Sequence, residues 1–232
     1  MTSTSLAHKT IAITGGFGPL GRAIGEAVLA AGGQVALIDN ARAPVGLTDG
    51  VLALPNVELG QVGDARRAME QVVATFGGLD GLVNAAGGST WEMVETGSVA
   101  TWDRLYASNV RTTLLASQAA LPHLLARGGG RIVNVGAQAA LRACLGMGAY
   151  AAAKAGVARL TEAMAEEFSD RGITVNVVLP TVLDTPSPSP DQLLADASRR
   201  TSPEPLARVV AFLLSEAAAP ITGALIPVRG CA

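Results

Sequence analysis

Residues 10–30, TIAITGGFGPLGRAIGEAVLA, change period once and abruptly. Thr10–Thr14 is a short β-branched and apolar run, two glycines interrupt it, and from Leu20 the apolar residues recur at helical spacing. That is a buried strand turning directly into a helix, the first half of a βα unit. Gly15 permits the tight turn, and Gly21 lets the helix pack close to the strand. The first helical turn then aims free N–H groups and the positive end of the helix dipole beyond the strand, where a phosphate is best held. A glycine-rich turn alone is a weak signal; strand before and helix after, at the start of the chain, point to a dinucleotide. Pro19 stands where a glycine often approaches the pyrophosphate. It lacks an N–H, but its fixed φ suits the first helical position, so the phosphates are expected on the amides around Gly18 and Leu20, with Phe17 beside them.

The same alternation continues outward. Strands are expected at 10–14, 34–39, 57–62, 81–86, 131–136, 173–179 and 224–228, with helices at 20–31, 65–76, 102–127, 149–170 and 203–216. Right-handed crossovers between parallel strands wind such a series into an α/β Rossmann-type, doubly wound sheet of about seven parallel strands with helices on both faces. At 232 residues one domain is the economical organisation. Charged residues make up only 16% and aromatics 3%, so Ala, Val, Leu and Ile must fill the core, which suits helices laid closely on a parallel sheet. PTVLDTPSPSPDQ, 180–192, cannot be one continuous helix, and a long irregular segment in a compact domain is usually functional. It is read as the core of a substrate lid over about 180–202.

Composition excludes several partners. A formal charge of −2 and a pI near 5.7 supply no basic stripe, so neither nucleic acid nor an anionic membrane surface is expected, and a small molecule is. MTSTSLAHK has no secretory apolar region and no run of about 18 apolar residues spans a bilayer, so a cytoplasmic protein is expected. Cys144 and Cys231 are then free thiols, and with His8 and His123 isolated no metal site is assigned.

Asp39 closes the second strand, 24 residues beyond Gly15, where a carboxylate accepts hydrogen bonds from the adenosine ribose and repels a 2′-phosphate. The next arginine is Arg42, so NAD is preferred to NADP, although a plain turn cap would also use an Asp. After the third strand Gln61 and Val62 are placed against the adenine and Asp64 as a helix cap, with the reverse assignment open.

Tyr150 and Lys154 lie four apart on an expected helix and share one face. A phenol ordinarily loses its proton near pH 10. An ammonium about 4 Å away at an effective dielectric of ~20 contributes ~4 kcal/mol, up to about three pK units, which brings the phenol into working range. The pair alone is common on surface helices; together with the amino-terminal turn it carries weight.

With these pieces the chain resembles the short-chain dehydrogenase/reductase superfamily over nearly its whole length. The matching residues are TGGFGPLG (14–21), Asp39, NAAG (84–87), Asn109, RIVNV (131–135), Tyr150 with Lys154, and PTVLDT (180–185). The resemblance implies that Tyr150 is the acid or base on the carbonyl oxygen, that Lys154 lowers its pKa, and that Asn109 helps hold a proton-relay water. It further implies that Asn84, Ala86 and Gly87 line the cofactor site, and that Pro180, Val182 and Thr185 lie near the nicotinamide. Asn109 could instead satisfy a kinked helix, and Asn84–Gly87 could be a strand end in a tight turn. The superfamily's catalytic serine lies thirteen residues before the tyrosine, and that position here is Ala137. Losing one preorganised donor costs about 3 to 4 kcal/mol, roughly a hundred to a thousandfold in rate, which slows a site without abolishing it.

The expected activity is NAD(H)-dependent interconversion of an alcohol and a ketone, with Trp91, Gln138 and Met147 walling the substrate. GAQAAL (136–141), GMGAY (146–150) and VLDTP (182–186) also resemble the quinonoid dihydropteridine reductases, which lack the serine and form one alternative. A catalytically silent NAD-binding regulatory or structural protein is the other. The alanine- and glycine-rich run 149–158 points, as the resemblance does, to a homo-oligomer, tetramer first and dimer second.

Overall fold

The computed structural model describes residues 4–48, 50–184 and 201–229. Seven strands, β1 (Thr10–Thr14), β2 (Gln34–Ile38), β3 (Leu52–Leu54), β4 (Gly81–Asn84), β5 (Gly130–Val135), β6 (Ile173–Pro180) and β7 (Leu225–Val228), form one sheet in the order β3-β2-β1-β4-β5-β6-β7. Every pairing is parallel. The chain winds outward from β1 to β3, returns to lay β4 on the other side of β1, and winds the opposite way to β7. That reversal leaves a crevice beyond the carboxyl ends of β1 and β4.

The helices are α1 (Pro19–Ala30), α2 (Val62–Phe76), α3 (Val99–Tyr106), α4 (Thr112–Ala126), α5 (Gly148–Phe168) and α6 (Pro203–Leu214). Strand side chains alternate between two cores, as the pleat requires. Ile11, Ile13, Val35 and Leu37 meet Ile24 and Val28 of α1 and Leu206 and Val210 of α6. Ala12, Ala36, Ile38 and Leu82 meet Met69 and Val72 of α2, Ala120 and Leu124 of α4, and Met164 of α5. Burial on both faces explains why the strands read as almost unbroken apolar runs.

Two elements differ from expectation. The third strand lies at Leu52–Leu54 rather than 57–62, paired in register Ala36↔Leu52, Leu37↔Ala53 and Ile38↔Leu54. VELGQV alternates like a strand, but its backbone folds back, with the Gln61 amide donating to the Glu58 carbonyl at 2.9 Å, and only Leu59 is buried, as an anchor against the α2 core. Pro55 ends the true edge strand. The helix expected at 102–127 is α3 and α4 joined by a π-helical turn, Ala107–Arg111. There the widened turn loosens the backbone ladder, and side chains make up for it. Asn109 Nδ2 donates to the carbonyls of Leu105 (2.9 Å) and Gly88 (3.0 Å), and Thr113 Oγ1 donates to that of Asn109 (2.7 Å).

Candidate active site

The turn after β1 is built as its glycines suggest. Gly15 has φ +63°, and a side chain there would meet the Ala86 amide at 2.8 Å; a Cβ on Gly21 would lie 2.3 Å from the Gly15 carbonyl. The turn and α1 therefore close up only because both are glycine. Gly18 caps α1 with no side-chain partner, and its own amide donates to the Gly15 carbonyl at 3.3 Å. The free donors facing the cleft thus shift one step along the helix, to Leu20 and Gly21, whose amides meet no described acceptor. An uncapped helix start with free amides fits a pyrophosphate.

Asp39 lies just past β2 and lines the same cleft. Its Oδ2 accepts from the Phe17 amide at 3.0 Å and its Oδ1 from the Ala41 amide at 3.0 Å, so the carboxylate is held in place with lone pairs to spare. Phe17 itself is not in the wall; its ring packs against the α1 and α6 core. Gln61 and Val62 do not line the cleft either. Gln61 caps α2 and Val62 is 65% exposed, while Val57, Glu58, Leu59 and Gly60, which follow the displaced β3, take the place expected of them.

Beyond β4, Ala86 and Gly87 line the wall and Asn84 lies beneath it. Asn84 Nδ2 donates to Ser117 Oγ (3.0 Å) and Asn134 Oδ1 (2.9 Å), and Asn134 Nδ2 to Thr161 Oγ1 (2.8 Å), a buried polar chain tying α4, β4, β5 and α5. Asn109 is wholly buried behind the wall, with Oδ1 unpartnered among the described residues. A Cβ on Gly87 would lie 2.5 Å from that oxygen and 3.4 Å from Lys154 Nζ, so both atoms converge on the space that Gly87 leaves open.

Tyr150 and Lys154 share one face of α5 and line the cleft, with the Lys154 ammonium 5.9 Å from the centre of the tyrosine ring. Nζ donates to the Val135 carbonyl at 2.8 Å, which locks it at the end of β5. Burial lowers the Lys154 pKa from 10.5 to about 8, so at neutral pH it remains mostly an ammonium. Ala137 and Gln138 follow β5 in the same wall, Pro180 ends β6 and Val182 follows it. Thr185, and the expected lid from 185 to 200, lie outside the described residues. The two described ends of that segment are joined, Thr201 donating its amide to the Val182 carbonyl at 2.8 Å.

At the substrate end Trp91 packs on Gly146, where a Cβ would lie 2.3 Å from the indole, and the Glu92 amide donates to the Gly146 carbonyl at 2.8 Å. Trp91 and Met147 are part of the wall of a cleft of about 1770 Å³, far more than one small ligand fills. Arg104 and Arg142 also line this end, unanticipated from sequence; neither forms an ion pair with a described carboxylate. Arg104 stands five residues before Asn109 on the helix that closes the site, the one signal that could have singled it out.

Residues 9–192 match the short chain dehydrogenase family. The chain belongs to that family. Membership carries the oxidoreductase class with it. This short-chain dehydrogenase is 38% identical to 2-(S)-hydroxypropyl-CoM dehydrogenase 3 of Xanthobacter autotrophicus, over 98% of either chain. It is 37% identical, over 88% of its own length and 97% of the other's, to a protein of the same organism described as inactive 2-(S)-hydroxypropyl-CoM dehydrogenase 2. Among solved structures it resembles the 3-ketoacyl-(acyl-carrier-protein) reductase of Brucella melitensis complexed with NADH, with a TM-score of 0.88 and 28% identity over 97% of this chain and 98% of that one.

Proposed function

We propose that the protein is an NAD(H)-dependent dehydrogenase that interconverts a secondary alcohol and its ketone. The observation that carries this reading is the buried Lys154 ammonium beside Tyr150, in one cleft with the uncapped amides of α1 and the Asp39 carboxylate. A nicotinamide dinucleotide, when bound, supplies or accepts the hydride. Leu20 and Gly21 hold its pyrophosphate, and Asp39 takes the ribose hydroxyls and disfavours a 2′-phosphate. Arg42, which could have welcomed that phosphate, is not part of the cleft wall.

Tyr150 takes the proton from the alcohol oxygen, or returns it to the ketone, and Lys154 favours the ionised phenol by its charge. The convergence of Asn109 Oδ1 and Lys154 Nζ beside Gly87 suits a water that relays this proton inward. Arg104 and Arg142 suit a substrate that carries an acidic group away from its carbinol carbon. A second reading, a dinucleotide-binding protein without turnover, draws on the relative described as inactive and on Ala137.

The experiment is NADH oxidation against ketones with and without an acidic group, quinones and quinonoid pterins, with alcohol oxidation in reverse and Tyr150→Phe as control. Turnover of a ketone that Tyr150→Phe loses by about a hundred to ten thousandfold supports the dehydrogenase. NADH binding with every substrate inert supports the silent protein.

A further inference from the structure

The site lacks the hydroxyl that would steady the substrate oxygen opposite Tyr150, and the residue beside the gap has a donor to spare. Ala137 is 6% exposed, in extended backbone (φ −160°, ψ 155°), and contributes only a methyl group to the wall. Gln138 begins a one-turn 3₁₀ helix, Gln138–Ala140, and its carbonyl accepts from the amides of Leu141 (2.9 Å) and Arg142 (3.2 Å), so its backbone is fixed. That turn packs against α5, and Ala140 joins Tyr150 at the edge of the same small core. Gln138 Nε2 is buried and meets no acceptor among the described residues.

A buried donor left unpaired costs about 1 to 3 kcal/mol, and native proteins rarely keep one without a purpose. Among the described residues, the other buried side-chain atoms without partners belong to Asn84, Asn109, Arg131 and Thr174, none of which lines the cleft. Gln138 does, next to Ala137 and in the same cleft as Tyr150. We propose that the Gln138 side-chain amide donates the hydrogen bond to the substrate oxygen that Ala137 cannot make. No bond to that oxygen is formed or broken by the amide; it steadies the negative charge that develops there while Tyr150 moves the proton. A neutral amide does this without adding a charge beside Lys154. The assignment rests on the dehydrogenase reading above.

The test compares the wild type with Gln138→Leu, the isosteric Gln138→Glu, which turns the donor into an acceptor, and the double variant Ala137→Ser/Gln138→Leu. Steady-state kinetics on the best ketone of the panel are paired with calorimetric NADH titration and a melting curve for each protein. The expected result is a kcat about a hundredfold lower in both single variants, NADH affinity unchanged, and recovery to within about tenfold of wild type when the serine is added to Gln138→Leu. A merely structural glutamine would not be rescued by a hydroxyl one residue away, so failure of the double variant to recover overturns the assignment. So does wild-type kcat in Gln138→Glu, or a loss that falls on NADH affinity instead. A wild type that binds NADH but turns over no substrate contradicts the dehydrogenase reading and this assignment with it; an active wild type with indifferent Gln138 variants contradicts the assignment alone.

Discussion

Lys154 is costly for the fold to keep. Bringing its ammonium under α5 lowers its pKa from 10.5 to about 8, which at 1.36 kcal/mol per unit costs about 3 kcal/mol at neutral pH. Between those two pH values the unfolded chain holds the proton and the folded chain has released it. Stability therefore rises with pH across that window, and below about pH 8 the whole cost is present. Lys154→Met removes this cost and also the hydrogen bond to Val135, worth about 1 kcal/mol. The variant should be inactive yet melt about 3 to 6 °C higher than wild type at pH 7, with the gap narrowing toward pH 10. A lower melting point at pH 7, or a gap that ignores pH, would show that burial is not what the lysine costs. Asp39 makes a second residue-scale case. It braces Phe17 and Ala41; if it also takes the ribose hydroxyls as proposed above, Asp39→Ser should reduce the preference for NADH over NADPH by about tenfold or more in calorimetric titrations, about the value of one charge-assisted hydrogen bond. An unchanged preference would make Asp39 a turn brace only. For the cleft arginines, Arg104→Ala should raise KM about tenfold for an acidic ketone and leave a neutral one unaffected. Equal effects on both ketones would remove any role in recognising charge.

The helix that passes behind the site owes its shape to one side chain. Asn109 Nδ2 covers the carbonyls of Leu105 and Gly88 at the π turn, so Asn109→Leu should leave the Leu105 carbonyl bare in a buried place, release the more exposed Gly88 carbonyl, and cost about 2 to 4 kcal/mol. At this chain length that is a fall of about 5 to 15 °C in melting temperature, measured by calorimetry; a fall under 2 °C would mean that the turn is held by other contacts. Asn109 also illustrates what was legible in the sequence. Its two possible roles, satisfying a kinked helix and serving the site, could both be written down from residue type and position. That the amide nitrogen is spent on the kink while the oxygen stays without a described partner beside Gly87 needed the backbone. The turn after β1, the parallel order of strands and the Tyr150–Lys154 face were readable because each rests on local periodicity and spacing. β3 was misread because a short edge strand buries too little to leave a clear period, and VELGQV alternates by chance around its one anchor, Leu59. With β3 displaced, residues 57–60 line the cleft where Gln61 and Val62 are expected from the sequence. Asn84 is expected in the wall from the family resemblance of NAAG; its side chain turns down because Ser117 and Asn134 lie within reach below.

Seen as a whole, the molecule places nearly all its chemistry along one edge of the sheet. In spatial order, the carboxyl ends of β2, β1, β4, β5 and β6 supply Asp39, the glycine turn, the Gly87 opening, the Ala137–Gln138 step and the Pro180 wall. No described helix is long and apolar enough to cross a membrane. Of the small residues of α5, Ala149, Ala151, Ala153 and Ala158 are buried within the chain, while Ala152 is exposed and Ala155 and Gly156 are half-buried. A larger apolar surface lies on α3, where Val99 (76% exposed), Trp102 (40%) and Tyr106 (59%) recur at helical spacing. If copies of the chain associate there, light scattering should report a dimer or tetramer that Trp102→Glu dissociates, and a wild-type monomer at micromolar concentration would contradict it. The central claim is narrower and more exposed: a phenol and a buried ammonium act on a substrate oxygen beside a bound nicotinamide. Its most direct measurement is calorimetric NADH binding paired with ketone turnover in wild type and Tyr150→Phe. Equal binding heats in both, with turnover in the wild type alone, are predicted; no heat on adding either pyridine dinucleotide, or undiminished turnover without the hydroxyl, would contradict the account.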